Sequence, residues 1–248
     1  MIKKVLVSQP EPATGKSPYY DIAEKYKLEV VFRPFIKIER TSAKEFRQQK
    51  VNLADYTAVI FTSRHAIDHF FSFCSEFRVK VPDMMKYFCV TEQVSLYIQK
   101  YVQYRKRKVF FGQSGKIEDL AHAISKHNYE KFITPMSETH SDEIGNFLDK
   151  LKVKTHAEAV MYRTVNNDFD PNEPFDYDML LFFSPAGIQS LQKNFPDFQQ
   201  GDIQIGTFGA ATAQAVRDAG YRLDLEAPTP ESPSMTAALE KHLKESNK

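Results

Sequence analysis

Short apolar runs alternate with helix-patterned segments from one end of the chain to the other. Residues 4–8, 28–32, 87–90, 109–111, 131–134, 203–208 and 222–225 read as strands, as does Ala58–Phe61. Continuous apolarity over so few residues suits strands buried on both faces of a parallel sheet. Residues 19–26, 42–50, 92–101, 117–126, 142–151 and 235–244 predict helices, and another helix starts at Thr212. Ser42 followed by Glu45 has the spacing of a capping box. Residues 35–39 and 156–165 are extended, and Pro34, which lacks an N–H, marks the first as an edge or connector. Strand–helix alternation throughout predicts an α/β fold whose parallel sheets are covered on both faces.

One pattern occurs twice. DYTAVIFTSRHAIDHF at residues 55–70 and DYDMLLFFSPAGIQSL at residues 176–191 each run from a short apolar strand through a sharp turn into an amphipathic helix. Aligned on Asp55 and Asp176, they superpose Phe61 on Phe182, Ser63 on Ser184 and Ile67 on Ile188. The repetition predicts two like domains that share a cleft. Residues 166–174 form a polar, Pro-bearing linker. Two sequential repeats, or one domain inserted into the other, are both compatible with the periodicity.

Composition narrows the function classes. With 248 residues the chain is long enough for two domains. Lys plus Arg (33) nearly balances Asp plus Glu (32), so no overall basic field argues for nucleic acid or a membrane surface. The two cysteines, Cys74 and Cys89, lie in apolar surroundings and read as buried thiols of a reducing compartment. No signal-peptide or membrane-spanning pattern stands out, and a cytoplasmic protein is expected.

Most conspicuous motifs have plain structural explanations. Gly15-Lys16-Ser17 resembles the end of a P-loop, but Pro10 stands where its first glycine belongs and Pro18 follows directly. His65 and His69 have the spacing of two metal ligands on one helix, yet no third ligand accompanies them, so no metal site is assigned. Arg105-Lys106-Arg107-Lys108 reads as a solvated basic turn, with an anion landing site as the alternative. No nucleophile–base signature is evident.

The turns after the parallel strands are better candidates. Ligands of open α/β sheets sit at strand carboxyl ends, where helix N-termini present unpaired N–H groups. Thr62, Ser63, Arg64, Thr91, the Ser184-Pro185-Ala186-Gly187 turn, Ala211 and Thr212 occupy such places. Their bland role is helix capping; their functional role would be to hold several anionic groups of one ligand. Tyr162, in the apolar extended stretch AVMYRTV, is either a packing residue or a proton donor.

VIFTSRHAID, the YRT of AVMYRTV, LLFFSPAGIQSL, IGTFGAATAQAV and APTPESPSMTAAL, in this order, make the chain resemble the uroporphyrinogen-III synthase family along its length. The resemblance implies two flavodoxin-like parallel-sheet domains joined by a two-stranded antiparallel connector. Domain 1 would comprise residues 1–35 and 166–248, domain 2 residues 40–156, and the connectors residues 33–39 and 157–165. It implies an enzyme that dehydrates hydroxymethylbilane and cyclises it with inversion of ring D, without cofactor or metal. Tyr162 matches the family's tyrosine for protonating the leaving hydroxyl, and Ser63, Ser184 and Thr212 match positions that line its cleft. A monomer that binds neither nucleic acid nor membrane is expected. The chain departs from the family pattern at Ser8-Gln9 and at Thr91-Glu92-Gln93-Val94, where a threonine hydroxyl is lost, and the stretch 112–140 is unlike commoner members.

Two other function classes fit parts of the pattern. A two-domain binding protein for a small polyanionic ligand needs the same turns but no proton donor. A flavin or nucleotide oxidoreductase is disfavoured because no strand is followed by a phosphate-binding glycine loop.

Overall fold

Lys4–Val7 (β1), Pro18–Tyr26 (α1) and Glu29–Phe32 (β2) open the chain as a strand, helix and parallel strand in the computed structural model, which describes residues 2–13, 15–170 and 172–246. The contacts divide the chain into two compact units, residues 1–37 with 165–248, and residues 38–164.

In the first unit, β1 and β2 are joined by Met179–Phe182 (β9), Gln204–Phe208 (β10) and Leu225–Ala227 (β11). The sheet order is β11-β10-β9-β1-β2, and all its pairs are parallel. One face packs on α1 and Met235–Ser246 (α9) through Val5, Val7, Ile22, Met179, Leu181, Leu239 and Leu243. The other packs on Pro185–Asn194 (α7) and Ala210–Asp218 (α8) through Leu6, Leu180, Phe182, Ile188, Leu191 and Val216. Consecutive strand residues thus serve opposite cores, which is why the strands carry no polar face.

The second unit follows the same plan. Its strands in chain order are Ile36–Arg40 (β3), Ala58–Phe61 (β4), Lys86–Cys89 (β5), Val109–Phe111 (β6), Lys131–Ser137 (β7) and Thr155–Asn166 (β8). Its sheet runs β3-β8-β7-β4-β5-β6. The pairs from β8 to β6 are parallel. The edge pair β3–β8 is antiparallel: Thr41 N bonds Met161 O at 3.0 Å, while Asn167 N bonds Phe35 O at 2.9 Å. Ala43–Gln48 (α2), Arg64–Glu76 (α3) and Glu92–Tyr97 (α4) cover one face. Ala121–Lys126 (α5) and Glu143–Lys150 (α6) cover the other.

Local chemistry accounts for the element starts. Ser42 accepts from Glu45 N at 3.2 Å while the Glu45 carboxylate accepts from Ser42 N at 2.7 Å, so the capping box at α2 forms as the spacing predicts. Ser17 caps α1 with Pro18 in the first turn, so the Gly-Lys-Ser string is a helix start. Cys74 and Cys89 are free and buried.

Several predicted boundaries move. The strand expected at residues 131–134 continues through Pro135 to Ser137, because Pro135 lies beyond the stretch of β7 that β4 pairs. The strand expected at 222–225 forms at Leu225–Ala227, since Arg222 is drawn into hydrogen bonds with Gln200 and Asp224. The helix expected from Thr212 begins at Ala210, behind Gly209 at φ 93°, a conformation that favours glycine. Single 3-10 turns replace the end of the helix at 92–101 and the start of that at 117–126.

Candidate active site

Tyr162 lies on β8, and a bulge aims it. Residues 131–136 of β7 pair one-to-one with residues 155–160 of β8; then Ser137 pairs with Tyr162, and Met161 is skipped. Strand neighbours normally face opposite ways. Here Met161 and Tyr162, although consecutive, both enter the core under α3. A bulge of one residue is a common way to redirect a side chain. The Tyr162 ring is 8% exposed and stacks on His69 of α3, with ring centroids 5.1 Å apart and planes at 23°. Its carbonyl accepts from Glu138 N at 2.8 Å, and its hydroxyl makes no hydrogen bond among the described residues. Arg163, next along the strand, pairs with Glu45 of α2 at 2.6 Å.

His69 is half-buried. Burial pushes its pKa down, the neighbouring His65 and Arg40 push the same way, and Asp68 pushes back. The imidazole against Tyr162 is therefore neutral at neutral pH.

The predicted turn residues stand at helix N-termini, with their hydroxyls already engaged. Ser63 accepts from Ala66 N at 3.1 Å and Thr91 from Val94 N at 3.3 Å in the second unit. Ser184 accepts from Gly187 N at 3.3 Å in the first. Thr62 is half-buried and Arg64 exposed, with its guanidinium 5.4 Å from the centre of the Tyr97 ring. Pro185 and Ala211 are exposed and Ala186 half-buried, while Gly187 and Thr212 are buried. A Cβ on Gly187 would sit 3.0 Å from the Phe182 ring, so a larger residue there requires the ring to shift by a few tenths of an ångström. Thr212 is 2% exposed, which leaves its hydroxyl poorly placed to meet a ligand. What these turns offer an anion is backbone N–H groups and the positive ends of α3 and α7.

One turn of the second unit is filled from within. The Asp119 carboxylate accepts from Gln113 N at 2.8 Å, Ser114 N at 2.6 Å and Ser114 Oγ at 2.9 Å, after β6. These bonds lower its pKa, the Ser114 N–H first among them. A Cβ at Gly112 would sit 2.7 Å from Asp119 Cβ, so this arrangement requires glycine.

Two features escaped the sequence. The His69–Tyr162 stack joins residues far apart in the chain, and the helical spacing of His65 and His69 draws attention to the wrong partner. His140, Asp142 and Glu158 converge on one point of the second unit, with their ligand atoms within 4.8 Å of one another. Neither their spacing nor their surroundings marks them in the sequence.

Two α/β units, each with a parallel sheet covered by helices on both faces, define a protein of the doubly wound, flavodoxin-like class. A model of the family Uroporphyrinogen-III synthase HemD matches residues 18–237. The chain belongs to the uroporphyrinogen-III synthase family, and membership makes it a cyclising lyase of porphyrin biosynthesis. Among solved structures it is similar to uroporphyrinogen-III synthetase from Helicobacter pylori, at 15% identity and a TM-score of 0.61, covering 98% of this chain and 99% of that one. It is also similar to a mutant uroporphyrinogen III synthase from Thermus thermophilus, at 13% identity and a TM-score of 0.52, with 98% and 99% covered. At these identities the likeness concerns the fold. No curated protein matches significantly. No helix among the described residues is long and apolar enough to cross a membrane.

Proposed function

We propose that this protein converts hydroxymethylbilane to uroporphyrinogen III, with Tyr162 as the acid that protonates the departing hydroxyl. The observation that carries this assignment is the bulge in β8, which turns Tyr162 onto the face of His69 and leaves its hydroxyl without a hydrogen bond among the described residues.

The steps follow from the substrate. Proton donation at the terminal hydroxymethyl group lets its C–O bond break and releases water, leaving an azafulvene electrophile. The substituted carbon of ring D attacks it to give a spiro intermediate. Fragmentation and reclosure then invert ring D, and the final proton loss restores the pyrrole. The competing reaction is direct closure without inversion. Selection between the two depends on holding the chain folded, a proximity effect worth up to about 7–11 kcal/mol. A positioned acid adds roughly 10²–10⁴-fold.

Eight substrate carboxylates need many donors. The turns at Thr62, Ser63 and Arg64, at Thr91, at Ser184, Pro185, Ala186 and Gly187, and at Ala211 and Thr212 are the proposed seats, with donors such as the N–H groups of Arg64, Ala186 and Ala211, while Pro185 has no N–H and those of Gly187 and Thr212 bond Ser184 and Gly209 and shape the turns. Arg64 adds a full positive charge. Monomeric, cytoplasmic operation, with no metal or cofactor taking part in the chemistry, is part of this proposal.

Incubation of the purified protein with hydroxymethylbilane, followed by chromatographic separation of the oxidised product isomers, tests it. The inverted isomer should dominate. Formation of only the non-inverted isomer, at the spontaneous rate, overturns the proposal.

A further inference from the structure

We propose that His140, Asp142 and Glu158 form a structural binding site for one divalent transition-metal ion of the zinc type, on the α6 face of the second unit. Their ligand atoms lie within 4.8 Å of one another. His140 Nδ1 is 2.7 Å from the Ser137 carbonyl. A carbonyl can only accept, so Nδ1 carries the proton and Nε2 keeps its lone pair. A backbone carbonyl fixing the tautomer in this way is the usual support of a metal-binding imidazole. Nε2 stands 3.8 Å from Glu158 Oε2. The other oxygen of that carboxylate accepts from Gly145 N at 3.0 Å, which anchors it and leaves Oε2 to bind.

Asp142 separates this site from a simple His–Glu pair. It precedes α6 but makes no side-chain capping bond to the helix. Its carboxylate instead adds a second negative charge at the same point as Glu158, beside a single imidazole. Without a cation, two carboxylates converging there repel.

The floor of the cluster supplies an independent observation. Thr134 on β7 pairs with Glu158 on β8, so the two side chains share the α6 face of the sheet. Thr134 is fully buried, and its hydroxyl has no hydrogen-bond partner among the described residues. An orphaned buried hydroxyl beside a carboxylate calls for a further polar partner.

One imidazole nitrogen and two carboxylate oxygens suit zinc and similar divalent ions better than magnesium or calcium, which favour oxygen alone. Ligand atoms about 2.0 Å from a tetrahedral zinc ion stand about 3.3 Å apart. The 3.8 Å between His140 and Glu158 therefore needs only a small closing movement. The bound ion would fasten the segment after β7 to β8, on the sheet face opposite the His69–Tyr162 stack.

The test uses untagged, chelator-stripped full-length protein, titrated with Zn²⁺ by calorimetry and with Co²⁺ by visible absorption. One equivalent of Zn²⁺ should bind at micromolar concentrations, and Co²⁺ should give the absorption of a low-symmetry site. His140→Ala and Glu158→Gln should each weaken binding about tenfold or more, with circular dichroism unchanged. Absence of binding at micromolar Zn²⁺, binding that survives either substitution, or Mg²⁺ binding as tightly as Zn²⁺ overturns the site. None of these readouts depends on synthase activity.

Discussion

Tyr162 and His69 stack with their ring centroids 5.1 Å apart, although one sits on a strand and the other on a helix. The contact holds the phenol ring from its flat side and leaves its edge, with the hydroxyl, unconstrained. If the hydroxyl delivers the proton, Tyr162→Phe keeps the packing and removes only the acid. Turnover should fall about 10²–10⁴-fold with the melting temperature little changed. Product formation by isomer chromatography is the measurement; unchanged turnover excludes Tyr162 as the acid.

Replacing the other partner separates positioning from chemistry. His69→Phe preserves a ring against Tyr162 and should retain most activity. His69→Ala removes the stack, costs roughly 0.5–1.5 kcal/mol in stability for the lost ring pair, and should lower kcat more than it raises KM. Equal activity in the two variants would show that the stack does not position Tyr162.

The depressed pKa of His69 also has a consequence for pH. Burial and the nearby His65 and Arg40 disfavour its charged form in the folded chain. The unfolded chain therefore binds the proton first, at the ordinary histidine value of about 6.5. Stability should fall as pH drops below that value, until His69 also protonates in the fold, and rise again on return to neutral pH. His69→Phe should flatten this slope in denaturant titrations. His127, lowered chiefly by burial, has the same sign, so part of the slope remains.

Capping and ligand binding at Ser63 can be told apart with one substitution. Ser63→Asp keeps a good N-cap, so stability should stay within about 0.5 kcal/mol of the starting protein, whereas Ser63→Ala should cost about 1 kcal/mol. The added negative charge repels a polycarboxylate, and KM should rise several-fold in Ser63→Asp. A KM that does not move removes this turn from the substrate site.

The thiols should be inert. Burial pushes the Cys74 thiol up to about 12 and the Cys89 thiol up as well. Iodoacetamide should label neither in the native protein and leave turnover unchanged, whereas denatured protein should take up two labels. Native labelling with loss of activity would contradict the burial of these residues.

Much of the fold was legible in the sequence because its strands are buried on both faces. A run such as Val59-Ile60-Phe61 has no polar position to confuse it with a surface helix, and Ser63 and Ser184 mark the turns by the hydroxyls their helices need. Boundaries failed where one distant contact outweighed local preference, as when Gln200 and Asp224 draw Arg222 out of the expected strand. The candidate site was legible only in part. Ser63, Thr91 and Ser184 declare themselves by type and place, but the sequence does not show that each hydroxyl is already spent on a helix N–H. Nor does it show the seat filled by Asp119. The His69–Tyr162 contact depends on sheet register, which periodicity alone leaves open.

That register carries a final consequence. β7 and β8 keep step up to Met136 and Val160 and then fall out of phase by one residue. Which side of the sheet Tyr162 occupies is thus decided by the phase of β8 against β7. Inserting one residue between Met136 and Ser137 would give the skipped Met161 a partner and restore the phase, and regular alternation from Val160 would then send the phenol to the opposite side of the sheet. In this strand, spacing is as much a part of the active group as the hydroxyl itself, and a single-residue indel is a more severe change than most substitutions nearby.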